Sequence, residues 1–158
     1  MVCIETSRLI SAPIEIVFDL CSNFADAATT IAEIQRIDML TTGPVGVGTK
    51  FRETRRMLGR DTDAEIEVTD FQPPTTYTLS TQKLGARIDT TFSFVDEGGS
   101  TRLSIVWRAS SPGSSAMKFV HRLMINAVRR FVESDLDSIQ RAVAKQTSAI
   151  QDGKVGTK

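Results

Sequence analysis

At 158 residues, with 41% hydrophobic and 24% charged side chains, the chain is long enough to bury one core and too apolar for a disordered segment. Its 19 basic residues balance 19 acidic ones, which excludes the broad positive field that a nucleic-acid binder relies on. No apolar run approaches the ~20 residues of a membrane span, and the opening Met1-Val2-Cys3-Ile4-Glu5 lacks the basic-then-apolar order of a signal peptide; a cytoplasmic protein without membrane insertion is the expectation.

In chain order, Val2 to Ile10 alternates as a strand, with Val2, Ile4, Thr6, Arg8 and Ile10 on one face. Ser11-Ala12-Pro13 followed by Glu15 starts a helix, because proline suits the first turn and glutamate favours the positive end of the helix dipole. This short helix is predicted over Pro13 to Cys21, and a second over Asn23 to Ala32. From Ile34 the texture changes to strand-like runs separated by turn chemistry. Runs are predicted over Ile34 to Thr42, Thr49 to Leu58, Asp61 to Phe71, Thr75 to Gln82, Ala86 to Val95 and Thr101 to Ala109. Gly43 to Gly48 is rich in glycine, but a strand follows it rather than a helix, so no helix N-terminus is available for a phosphate and a turn is the reading. Gly98-Gly99 makes a hairpin turn, since paired glycines accept positive φ.

After the loop Ser110 to Ser115 the period becomes helical and stays so to about Ala149. Met117, His121, Met124, Ile125, Val128, Phe131, Val132, Asp135 and Ile139 share one face, with Arg129, Glu133 and Asp137 opposite. A helix this long needs an extended apolar surface to cover, and the hollow of a bent sheet is the candidate. The predicted architecture is α+β: a curved antiparallel sheet of six to seven strands wrapped around the C-terminal helix. A single domain over residues 1–150 is expected, with 151–158 as a frayed tail.

Four local pieces resemble the START-like superfamily, also described as polyketide cyclase/dehydrase and lipid-transport proteins, with the Bet v 1-like helix-grip fold. They are Ile10-Ser11-Ala12-Pro13-Ile14-Glu15-Ile16-Val17-Phe18-Asp19, Gly46-Val47-Gly48-Thr49-Lys50-Phe51, Val68-Thr69-Asp70-Phe71-Gln72-Pro73-Pro74 and Gly99-Ser100-Thr101-Arg102-Leu103. All are structural rather than catalytic, so the resemblance speaks to fold more than to function. It implies a cavity between sheet and helix for a hydrophobic small molecule such as a lipid, polyketide or quinone. Some members of the superfamily are enzymes and others only carry or sense.

Several residues are placed to line such a cavity. On the second run, alternation keyed on Phe51 and Met57 sends Glu53 and Arg55 to the same face. Two opposite charges aimed inward must pair with each other or with a ligand; the alternative is a bulge or sheet edge that leaves them solvated. Asp135 faces the same way and is placed to meet Arg8 or Arg55. Ile66, Leu79, Thr90, Phe92 and Ile105 complete the expected apolar wall, and Tyr77 and Trp107 combine large apolar area with one polar atom. From the helix, His121, Met124, Ile125 and Val128 close it. His121, the sole histidine, reads either as a pocket-lining acid or base or as a packed core imidazole. The basic cluster Arg52, Arg55, Arg56 and Arg60 is expected to be neutralised by cross-strand pairing with Asp61, Asp63, Glu65 and Glu67.

A single histidine cannot build a zinc site, and Cys3 and Cys21 form no metal or disulfide pattern. Neither metal nor cofactor is expected; a homodimer stays open. Three functions remain: a binder or carrier of a hydrophobic small molecule; a cyclase- or dehydratase-type enzyme in which His121, Glu53 or Tyr77 moves protons; and a protein-interaction module without ligand.

Overall fold

β-Branched and aromatic residues alternating with polar ones make seven strands, and one long amphipathic segment makes the helix they hold. The computed structural model describes the backbone of residues 1–83, 85–110 and 115–155, and of these the side chains outside 115–124 and 154–155. The strands are β1 (Val2–Ile10), β2 (Ile34–Met39), β3 (Lys50–Met57), β4 (Arg60–Gln72), β5 (Thr76–Lys83), β6 (Ala86–Glu97) and β7 (Ser100–Ser110). They form one antiparallel sheet in the order β1-β7-β6-β5-β4-β3-β2, so the first strand closes onto the last and only β1 and β2 are edges.

Between β1 and β2 stand α1 (Ile14–Ser22), a 3-10 turn (Phe24–Asp26) and α2 (Ala27–Thr30). The second helix is much shorter than the predicted Asn23 to Ala32. Thr29, Thr30 and Ile31 are β-branched and lose side-chain freedom in a helix, and Ile31 has already turned to an extended conformation at φ −106°, ψ 117°. β2 likewise stops at Met39, short of the predicted Thr42. Gly48, at φ +90°, donates its N–H to the Val68 carbonyl at 2.8 Å and delivers the chain directly into β3.

Register places one set of side chains on the inner face: Phe51 opposite Ile66, and Tyr77 opposite Phe92. α3 (Ser115–Val155) packs across that face, against β1, α1 and α2. It runs past the predicted end near Ala149. Val132, Leu136, Ile139 and Val143 are its buried stripe, spaced as one face of a helix. Leu136 and Val143 extend the predicted stripe. The outer face carries a charge ladder in which Arg52–Glu65 at 3.9 Å and Arg56–Asp61 at 2.8 Å pair as expected; Glu67 meets Lys50 instead, at 3.4 Å, Asp63 takes a hydrogen bond from Thr54 at 2.7 Å, Arg55 turns inward to Glu53 and Asp135, and Arg60 stands opposite Met57.

Candidate functional site

The inner face is filled unevenly. At one end Tyr77 is the hub of an aromatic cluster, stacked on Phe92 at 4.7 Å between ring centroids and meeting Phe24 at 5.5 Å and Phe18 at 5.9 Å. Such packing leaves no room for a guest. The Tyr77 hydroxyl donates to the Cys21 carbonyl at 3.1 Å, and burial pushes both its phenol and the Cys21 thiol well above their ordinary ranges. Neither group is available for proton transfer near neutral pH.

Further along the strands the packing opens. Pairing sets Leu79 beside Thr90 and Thr90 beside Trp107, a row across the three interior strands β5, β6 and β7. All three are only half-buried, as are Thr62, Ala64, Thr81 and Ile88 on the same face. Their strands lie in the interior of the sheet, so this exposure comes through the inner face and not around an edge. Thr62, Ala64, Thr81 and Thr90 among them are also small where the other end is aromatic. Val128 of α3 packs against the core from above, and Ile125 one turn earlier is half-buried.

A polar cluster stands beside this opening. Strand alternation carries Glu53 and Arg55 inward with Phe51 and Met57. Arg55 Nε donates to Glu53 Oε1 at 2.8 Å, and Nη1 donates to both Asp135 oxygens, at 2.8 and 3.1 Å. The side chains of Arg55, Glu53 and Asp135 are 16%, 15% and 14% exposed, so the reading in which a bulge solvates them does not hold. Burial opposes the charge on Arg55, but Asp135 and Glu53 more than offset it and the guanidinium stays protonated. Burial raises Asp135 to about 6; Arg55 pulls it down, and Glu53 and Glu33 push it up again. Arg8, the other candidate partner for Asp135, bonds instead to Asp137 on the opposite side of the helix.

Glu33 was not legible as part of this site. It sits between α2 and β2, where its carbonyl accepts the Arg56 N–H at 2.8 Å and its Oε1 accepts the Ser134 hydroxyl. Its Oε2 is buried and, among the described residues, has no hydrogen-bond partner.

Of the predicted lining residues, Phe51, Ile66, Tyr77, Phe92 and Ile105 belong to the filled core. Glu53, Arg55, Met57, Leu79, Thr90, Trp107, Ile125 and Val128 are half-buried. His121 and Met124 lie outside the residues whose side chains are described. Two surface grooves, of about 300 and 560 Å³, lie elsewhere: one on the outer face over Lys50, Glu67 and Ser80, the other between α2 and α3 beside Arg141 and Lys145. Among the described residues no group of histidine, cysteine and carboxylate side chains has the arrangement of a metal site, and no helix is long and apolar enough to cross a membrane.

A seven-stranded antiparallel sheet holding one long C-terminal helix across its inner face defines a helix-grip protein. The chain belongs to the polyketide cyclase/dehydrase and lipid transport family, whose model matches residues 1–144. No curated protein matches it. Among solved structures, a protein of Thermus thermophilus is similar at 18% identity, with a TM-score of 0.77, over 92% of this chain and 99% of that one. A START superfamily protein of Mycobacterium smegmatis is similar at 15% identity and a TM-score of 0.74, over 91% and 98%. The Zhui aromatase/cyclase of a Streptomyces species is similar at 11% identity and a TM-score of 0.78, over 92% and 95%. At these identities the likeness speaks to the fold alone.

Proposed function

We propose that this protein binds a hydrophobic small molecule between the sheet and α3, over the row Leu79, Thr90 and Trp107. The observation that carries the reading is the incomplete burial of inward-facing side chains on central strands. A core filled by its own side chains would bury them, as it does Phe92 and Ile105 a step along the same strands. Apolar wall residues supply affinity, and the few polar groups around Arg55 orient the guest.

Trp107 is the single tryptophan, so its emission reports directly on occupancy of this region. Titration with Nile red, an uncharged apolar dye, is expected to shift Trp107 emission saturably at one molecule per chain. An emission unchanged up to the solubility limit of the dye would defeat the reading.

A cyclase- or dehydratase-type enzyme acting in the same space is the second reading. It is favoured by Asp135, a buried carboxyl at about 6, which is where a group must lie to give and take protons near neutral pH. Turnover of a polyketide-like substrate that persists in Asp135→Asn would remove that support.

A further inference from the structure

The larger of the two surface grooves, about 560 Å³, runs between α2 and the C-terminal half of α3. It lies on a different face of α3 from the buried stripe Val132, Leu136, Ile139 and Val143, so it is separate from the space beside Leu79 and Thr90. The helical period sets Ser138, Ala142 and Ala149 in line along its floor, with Arg141 and Lys145 on one flank. Ser138 and Ala149 are eleven residues apart, about 16 Å of helix, and Ala32 adds a further apolar wall from the α2 side.

The charges on this groove have one sign. Arg141 and Lys145 are four residues apart on one helix, a spacing at which like charges repel. Neither forms an ion pair among the described residues. The carboxylates nearest to them in the fold are engaged elsewhere: Asp137 by Arg8, Asp26 by Asn23 and Glu33 by Ser134. Asp152 stands seven residues beyond Lys145, about 10 Å along the helix. The buried hydroxyl of Ser138, 3% exposed, accepts from Arg141 Nη2 at 3.4 Å, which turns the guanidinium toward the groove floor and leaves its other N–H donors unused. Two cations without counter-charges beside an apolar floor match a molecule that carries one anionic head and an apolar body.

We infer that the groove between α2 and α3 is a second binding site, for a carboxylate-headed amphiphile whose head lies against Arg141 and Lys145 and whose chain follows Ala142 and Ala149. A bare anion would meet the same cations but leave most of the groove length empty. An ammonium head would meet repulsion.

The test is calorimetric titration at low ionic strength with decanoate, decylamine and acetate, with Trp107 emission followed in parallel so that entry beside Thr90 is told apart. Decylamine keeps the chain and reverses the charge; acetate keeps the head and removes the chain. Decanoate is expected to bind wild type about tenfold or more tightly than either, in an event that leaves Trp107 emission unchanged. In Arg141→Gln/Lys145→Gln that event should weaken by about tenfold or more. Both side chains are exposed, and the single variant Lys145→Glu serves if the double one fails to fold: it should weaken decanoate and strengthen decylamine. Decanoate binding that is the same in wild type and variants, acetate or decylamine matching decanoate, or no decanoate binding outside the space reported by Trp107 would each overturn the inference. The Nile red response of Trp107 is measured separately, so failure here leaves the reading of that inner space standing.

Discussion

Asp135 concentrates the electrostatic cost of this interior in one residue. Its carboxyl is raised from 3.8 to about 6, by burial first and by Glu53 and Glu33 after it, against the pull of Arg55. A group held above its unfolded value stabilises the fold fully below that value, and the contribution disappears as pH rises through the folded value. The window here is about pH 4 to 6, and a shift of this size corresponds to about 3 kcal/mol. Asp135→Asn cannot ionise and escapes the loss. Relative to wild type, the variant is expected to gain stability as pH is raised from 4 to 7.5, seen in urea midpoints measured at both values; a difference constant with pH would contradict the assignment. Part of this site is legible in the sequence. Alternation on β3 aims Glu53 and Arg55 inward and the helical period aims Asp135 at them. Glu33 carries no such signal, because it lies in a connection where no period applies and its place is set by β2 pairing with β3.

At the scale of elements, strands are more legible than helices in this chain. Turn residues with a backbone preference, such as Gly98 and Gly99 at φ +66° and +89°, mark strand ends in the sequence itself. α2 depends on tertiary packing that no local pattern records. The β3–β4 turn departs from local preference: Leu58 has a φ of +51° and is 86% exposed, followed by Gly59 at +77°. Positive φ at both central residues is the hairpin geometry that favours Asn-Gly, and a leucine there bears steric strain without burying its side chain. Leu58→Asn is expected to raise stability by about 1 kcal/mol, read as an increase in Tm with binding unchanged. The attachments of α3 differ in strength. Leu136 is fully buried, and Leu136→Ala should cost about 2–5 kcal/mol. The Arg8–Asp137 pair is 29% and 51% exposed, so water screens it and Asp137→Ala should cost under about 1 kcal/mol. Equal losses in denaturant melts of the two variants would show that the helix is held by charge rather than by packing.

Over the whole molecule, one sheet face changes the size and burial of its side chains along the strands, and the proposed binding role rests on that change. The aromatic cluster around Tyr77 closes one end and supplies the core; toward the other end Ala64, Thr81 and Thr90 are smaller and half-buried. The architecture is legible as a pattern of seven alternating runs and one long amphipathic helix. The division of the face is not, because alternation tells which side a residue faces and says nothing of how completely its partner covers it. That division is where function and stability separate. Thr90 lies between Leu79 and Trp107 on β6, half-buried and without aromatic neighbours in its row apart from Trp107. Thr90→Phe would extend the filled end into the open one. In a closed core such an enlargement costs about 1–3 kcal/mol through forced rotamers and backbone shifts. Over an open space the added ring buries apolar surface at little strain, so Tm should hold or rise while the Nile red response of Trp107 is lost. A fall in Tm on the scale of core overpacking, with dye binding retained, would mean that the space above Thr90 is already full and that the guest sits elsewhere.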